Sequence, residues 1–145
     1  MDIYEYIRAD HEEVNHLFKL FEKSNNAVRR QQIIEMLVKE LLIHLESEER
    51  TFYKTLENFS STKDDALHGK KEHKQIEEKI KNILPVKEGQ EWNKKVQELK
   101  KCIEHHVHEE EHQLFNKAKE IFSANEANVI KEKMHYLKQM LKLSI

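Results

Sequence analysis

The sequence predicts an all-α protein: an up-down-up-down four-helix bundle with an additional short C-terminal helix. Three observations predict it. Helix breakers are scarce, with two Gly and one Pro in 145 residues, while Leu, Ile, Lys, Glu and Gln dominate. Apolar residues recur at helical spacing in segments separated by short polar turns. The first half of the chain also recurs in the second at a shift of 62 residues, pairing Val14 with Ile76, Phe18 with Ile80, Phe21 with Ile83, Leu37 with Leu99 and Leu41 with Ile103. The expectation is one domain over residues 1–145, with an internally duplicated helical hairpin at about 2–59 and 64–121 and a fifth helix at about 124–143.

Each helix follows from its own signals. Asp2 with Glu5 marks the start of the first, which runs to Lys23 with Ile3, Ile7, His11, Val14, Phe18 and Phe21 on one stripe. Ser24-Asn25-Asn26 is a turn. The second runs from Ala27 to about Asn58, with Ile34, Leu37, Leu41, His44, Glu48, Phe52 and Phe59 inward and Leu56 alongside. Ser60-Ser61-Thr62-Lys63 is the next turn. The third helix, Asp64 to Leu84, carries Leu67, His73, Ile76, Ile80 and Ile83, and ends at a turn bracketed by Pro85 and Gly89. The fourth, Gln90 to Ile121, carries Val96, Leu99, Ile103, His106, Glu110, Leu114 and Ile121. Ser123 and Glu126 form a capping box for the fifth, with Val129, Ile130, Met134, Leu137, Met140 and Leu141 apolar.

Polar residues interrupt these apolar stripes at repeated places. His11, His44 and Glu48 recur as His73, His106 and Glu110, all in inward register. An unpaired buried carboxylate costs several kcal/mol, so a compensating cation is indicated. Residues at i and i+4 share a helix face, so His44 with Glu48, and His106 with Glu110, approach one metal cluster from successive turns. His11 and His73 each add an imidazole. With both glutamates bridging, each of two metal ions receives four protein ligands. A bridging oxide or hydroxide makes five, and an octahedral ion keeps one position open for O₂, peroxide or nitric oxide. Imidazole and carboxylate together suit iron, zinc or manganese.

The other polar candidates read differently. His105 competes with His106, but only His106 keeps the repeat and precedes Glu110 by four. Glu77, four after His73, is an extra ligand or a hydrogen-bond acceptor for one. His16, His68 and His135 read as surface residues. Tyr4, Tyr6 and Tyr53 read as interface packing that can lie near the site. Phe18, Phe21, Phe52 and Phe115 read as core.

Bulk properties narrow the function. The formal charge of −2 provides no strongly basic face, so nucleic acid is excluded as an expected partner. No window approaches 18 consecutive apolar residues, so no membrane-spanning helix is expected. The start, Met1-Asp2-Ile3-Tyr4-Glu5, lacks a basic region followed by an apolar run. With the single Cys102, this makes a cytoplasmic location the expectation.

The chain resembles the hemerythrin-like family, also called the HHE cation-binding domain. The resemblance rests on Asp10-His11-Glu12-Glu13, His44-Leu45-Glu46-Ser47-Glu48-Glu49, Glu72-His73, and His105-His106-Val107-His108-Glu109-Glu110-Glu111 leading into Leu114-Phe115. It implies a four-helix bundle around a non-haem di-iron centre, and so two iron ions in preference to manganese or zinc, with His11, His44, Glu48, His73, His106 and Glu110 as ligands. Oxygen-carrying members have a fifth histidine on the third helix. Glu77 stands there instead, a departure from the oxygen-carrier pattern. Members that repair iron–sulfur clusters carry an additional cysteine-bearing domain, not seen in this sequence. Ferritin-like proteins use Glu-x-x-His; the order here is His-x-x-x-Glu. The implied function is binding of, or response to, O₂, peroxide or nitric oxide by a monomer or dimer. The alternatives are iron storage or donation, including iron–sulfur cluster repair, and a di-iron peroxidase or nitric oxide reductase. A metal-free helical interaction module is the reading if no metal binds.

Overall fold

The computed structural model describes residues 1–144. Helix α1 spans Ile3–Lys23 and α2 spans Ala27–Glu48. Helix α2 continues without a break through a π-helical turn, Glu49–Tyr53, into α3, Lys54–Leu56. Helix α4 spans Lys63–Ile83. Helix α5, Gln90–Glu109, passes through a second π turn, Glu110–Leu114, into α6, Phe115–Ile121, and α7 spans Ala124–Leu143. The α2–α3 and α5–α6 rods with α1 and α4 make the four-helix bundle, and α7 is the additional helix.

The boundaries follow the local chemistry. Asp2 and Glu5 close a reciprocal capping box, as do Ser123 and Glu126, each satisfying otherwise unpaired N–H groups of the first turn. Asn26 caps α2 through the Arg29 N–H at 3.0 Å. Arg30 then reaches back over the turn. It donates to the Phe21 and Ser24 carbonyls at 3.0 and 3.2 Å and lies 4.0 Å from the Phe21 ring centroid. The exposed carbonyl end of α1 is thereby satisfied by the next helix.

Apolar burial drives association of the helices and is split in two. One cluster, including Phe18, Phe21, Leu37, Leu41, Ile76, Ile80, Trp92 and Leu99, fills the half of the bundle that ends at the 24–26 and 84–89 turns. The other joins Ile3, Ile7, Phe52, Tyr53, Leu56, Phe115 and Phe122 to Ala127, Ile130 and Met134 of α7. Between them lies a polar waist where His44, Glu48, His73, His106 and Glu110 are all buried. Helix α7 packs on α1, α2 and the first π turn.

Several stripe residues depart from the expectation. Phe59 lies past the end of α3, which stops at Leu56, and is exposed. Leu67 is exposed because α4 turns Ala66 and Gly69 inward instead. Val129 and Met140 are exposed because α7 lies on the bundle's outside and buries only the narrow line of Ala127, Ile130, Met134 and Lys138. Ile121 is only half-buried. The two π turns are also absent from the stripe pattern. A wide turn shifts the register of the residues beyond it, so adjacent residues, Phe52 with Tyr53 and Leu114 with Phe115, are all buried. Truncating Phe115, fully buried at the junction with α7, should cost about 3–5 kcal/mol. Chemical denaturation of Phe115→Ala beside the unmodified protein measures this.

Candidate metal centre

Each rod delivers its polar residues to the waist from one face. Helix α1 brings His11, α2 brings His44 and Glu48, α4 brings His73, and α5 brings His106 with Glu110 at its end. Two overlapping groups result. His11, His44, Glu48 and Glu110 have ligating atoms within 4.8 Å of one another, and so do Glu48, His73, His106 and Glu110. All six residues singled out in the sequence therefore meet, and both glutamates are common to the two groups.

A carboxylate holds the outer nitrogen of every imidazole. His44 Nδ1 donates to Asp10 Oδ2 at 2.8 Å and His106 Nδ1 to Glu72 Oε1 at 2.8 Å. His11 Nδ1 donates to Glu111 Oε2 at 2.6 Å and His73 Nδ1 to Glu49 Oε2 at 2.9 Å. A carboxylate can only accept, so it fixes the proton on Nδ1 and leaves the neutral ring's lone pair on Nε2. These four carboxylates also obey the 62-residue shift, Asp10 with Glu72 and Glu49 with Glu111. A repeat search confined to inward positions passes over them, although the regularity is there to be read.

The inner atoms crowd together and only partly satisfy one another. His73 Nε2 lies 3.0 Å from His106 Nε2 and 3.1 Å from Glu48 Oε1. His11 Nε2 lies 3.2 Å from Glu110 Oε1, and His44 Nε2 lies 3.7 Å from Glu48 Oε2. His11 Nε2, His44 Nε2, both oxygens of Glu48 and Glu110 Oε1 are buried without a hydrogen-bond partner. Leaving a buried polar atom unpaired costs about 1–3 kcal/mol, and the ionic contact of His11 Nε2 with Glu110 Oε1 relieves only part of that penalty here. Cations bound between the two carboxylates and four imidazoles would satisfy these atoms together, and the mixed nitrogen–oxygen donor set suits iron, manganese or zinc.

Protonation in the metal-free protein follows the same geometry. Burial pulls the His11 and His106 pKa values down, but their carboxylate partners outweigh it. Glu110 and Glu111 push His11 up to about 9, and Glu110 and Glu72 push His106 up to about 10. Burial holds His44 and His73 below the ordinary histidine range, against the opposing pull of Asp10 and Glu49. Burial and the nearby Glu110 raise Glu48 well above the usual carboxylate range. Glu110 goes the other way, because His106 and His11 overcome its burial.

Tyr53, which reads as packing in the sequence, is part of the waist. It donates its hydroxyl to Glu110 Oε2, stacks on His73 with centroids 5.0 Å apart, and is fully buried. Burial and the charge of Glu110 hold its phenol protonated, with a pKa well above the ordinary value. Gly69 makes room for it, since a Cβ there would lie 2.8 Å from the Tyr53 ring carbons and hydroxyl. The counterpart of Tyr53 in the repeat is Phe115 and that of Gly69 is Ile7, so only one half of the waist has a phenol. Glu77 joins neither group. His105 points to solvent, with 68% of its side chain exposed, which leaves His106 as the inward residue. Tyr4 packs on Phe52 and Phe115, while Tyr6 meets His135 at 3.0 Å.

Fold and site together define a helical-bundle protein built around a buried histidine–carboxylate cluster that fits metal cations. Residues 2–118 match the Hemerythrin HHE cation binding domain, and the chain belongs to that family. A solved HHE cation-binding domain-containing protein from Mycobacterium kansasii superposes with a TM-score of 0.86, covering 99% of this chain and 89% of its own at 22% identity, which shows the shared fold. A DNA nickase from Nostoc sp. (strain PCC 7120 / SAG 25.82 / UTEX 2576) is 32% identical over 117 residues, 79% of this chain. The chain spans about a third of that relative's length, the match covering 33% of it.

Two outcomes test this geometry. Replacing Glu49 or Glu111 by Gln should weaken metal binding about 10–100-fold without loss of helix content, as read by chelator competition and circular dichroism. Metal must also displace the protons of His11 and His106, whose metal-free pKa values of about 9 and about 10 lie above neutrality. Affinity should therefore rise with pH below about 9, by roughly tenfold per pH unit for each proton displaced, with Glu48 adding to His11 and His106 wherever its raised pKa keeps it protonated. Affinity measured across pH 6–8 in a non-coordinating buffer checks the slope.

Proposed function

We propose that the protein is a non-haem di-iron protein that binds, or responds to, O₂, peroxide or nitric oxide. Glu48 and Glu110 would lie between the ions, with His11 and His44 on one and His73 and His106 on the other. Bound iron would supply the redox change and the open coordination position that such small molecules need. The chain's own residues do the rest. Asp10, Glu49, Glu72 and Glu111 orient the four imidazoles. The Tyr53 hydroxyl holds Glu110. The apolar clusters on either side keep bulk water away from the waist.

The observation that carries the small-molecule reading is a small, partly enclosed cavity of about 10 Å³ beside the ligands. Leu41, Ile76 and Ile103 line it together with His11, His44 and His106. That is about the least space that holds one water molecule, and it suits a ligand of a few atoms better than an organic substrate. On this reading the partner is a small molecule and not nucleic acid or membrane. Among the described residues no helix is long and apolar enough to cross a membrane.

Protein purified from iron-supplied cells should contain two irons per chain, and Glu48→Gln should contain none. Reduction followed by nitric oxide or O₂ should then change the visible spectrum of the loaded protein. Zinc or no metal in place of iron, or an unchanged spectrum, would overturn the reading. The metal-free form of Glu48→Gln should melt no lower than metal-free wild type, because burial and Glu110 already press Glu48 toward a neutral form that a similarly shaped amide replaces.

A further inference from the structure

The two halves of the bundle treat the same face in opposite ways. Around Asp10 lie Tyr6, Ile43 and Ser47, with Ile43 and Ser47 buried. Helix α7 packs on this side, and its Lys138 binds Asp10 Oδ1 at 2.6 Å. At the shift of 62 residues, around Glu72, the same positions hold His68, His105 and Glu109. Here the side chains of His68 and His105 are 60% and 68% exposed.

These four residues converge. His68 Nε2 lies 3.2 Å from Glu109 Oε2 and 3.5 Å from Glu72 Oε2. His105 Nε2 lies 3.4 Å from Glu72 Oε2 and 3.2 Å from Glu109 Oε1. The ligating atoms of His68, Glu72 and Glu109 lie within 4.8 Å of one another, and His105 stands at the edge of this group, touching both carboxylates. A solvated helix face presents such His–Glu pairs singly; here one pair from α4 and one from α5 share both carboxylates. Glu72 is also a link to the interior, since its other oxygen accepts from His106 Nδ1 at 2.8 Å.

A second observation points the same way. A cavity of about 30 Å³ opens among His68, Glu72 and Glu109 and is bounded on its inner side by Tyr53, His106 and Glu110. Glu110 is buried there, its Oε2 accepting from Tyr53 while its Oε1 faces His11 Nε2 at 3.2 Å. The space accommodates a particle the size of a water molecule, and the buried Glu110 carboxylate lies at its inner end. The symmetry-related approach past Asp10 is closed by Lys138, whose positive charge repels a cation.

We propose that His68, Glu72, His105 and Glu109 form an outer site for a divalent cation, through which metal ions reach the buried centre. Two imidazoles and two carboxylates select borderline ions such as iron(II), cobalt(II), manganese(II) or zinc(II) over calcium and magnesium. The route, though not the outer site itself, rests on the buried centre being a metal centre.

Cobalt(II) serves as the probe. Protein whose centre has been filled should take up one further, weaker cobalt per chain by titration calorimetry. The double variant His68→Gln/His105→Gln should bind that ion about tenfold or more weakly and still retain the buried pair. Metal-free double variant should also load cobalt several-fold more slowly by stopped-flow absorbance, to the same final stoichiometry. No further ion in the filled protein, or unchanged affinity in the variant, would overturn the outer site. Lost outer binding with an unchanged loading rate would overturn the route. Wild type that binds a single cobalt dependent on His68 and His105, with no buried pair, would support the outer site while overturning the centre and the route with it.

Discussion

Two carboxylates buried side by side constrain everything else in this bundle. Glu48 and Glu110 are 0% and 2% exposed and lie within reach of all four inner imidazole nitrogens. Without a cation the waist must distribute protons to hold itself together, and it does so unevenly. Glu48 is pushed toward the neutral form while Glu110 stays charged against His11 and His106. A site that is costly when empty is a site poised to bind, because the free energy lost to unpaired atoms is recovered when metal enters. The large apolar clusters above and below are what allow a domain of this size to tolerate such a waist.

The near two-fold repeat of the ligands is broken in their surroundings. Tyr53 fits against Gly69 on one side, where Phe115 and Ile7 stand on the other. Helix α7 adds Lys138 to Asp10 on one side, while Glu72 is met by the exposed His68 and His105 on the other. The two halves of the cluster therefore differ in charge, in hydrogen bonding to the shared glutamates, and in access from outside. Two ions held there would not be equivalent. The fifth helix belongs to the site through Lys138 and Asp10, and so does more than cover apolar surface.

Much of this is legible without coordinates. The six inward-facing histidines and glutamates stand out because they break apolar stripes at a common spacing. The starts of the first and fifth helices stand out because Asp2 and Ser123 carry the cap chemistry locally. Other features are present in the sequence but easily passed over. Asp10, Glu49, Glu72 and Glu111 obey the same shift as the ligands, and Phe52-Tyr53 beside Leu114-Phe115 are paired apolar residues where a regular helix buries one. The stripe assignments fail at Leu67, Phe59, Val129 and Met140 because a 3.6-residue pattern tells which residues share a face, not where the face stops being covered.

By itself, the sequence determined the helical class, the approximate helix boundaries and the candidate ligands, since these depend on contacts within one turn or on a spacing along one helix. Only the tertiary structure decided which carboxylate serves which imidazole. Glu49 reaches His73 and Glu111 reaches His11, pairs separated by 24 and 100 residues. It also decided that Tyr53 turns inward, because the register slip of a π turn depends on the surface that the next residues pack against. And it decided which side of the waist is closed, because that depends on where α7 comes to rest.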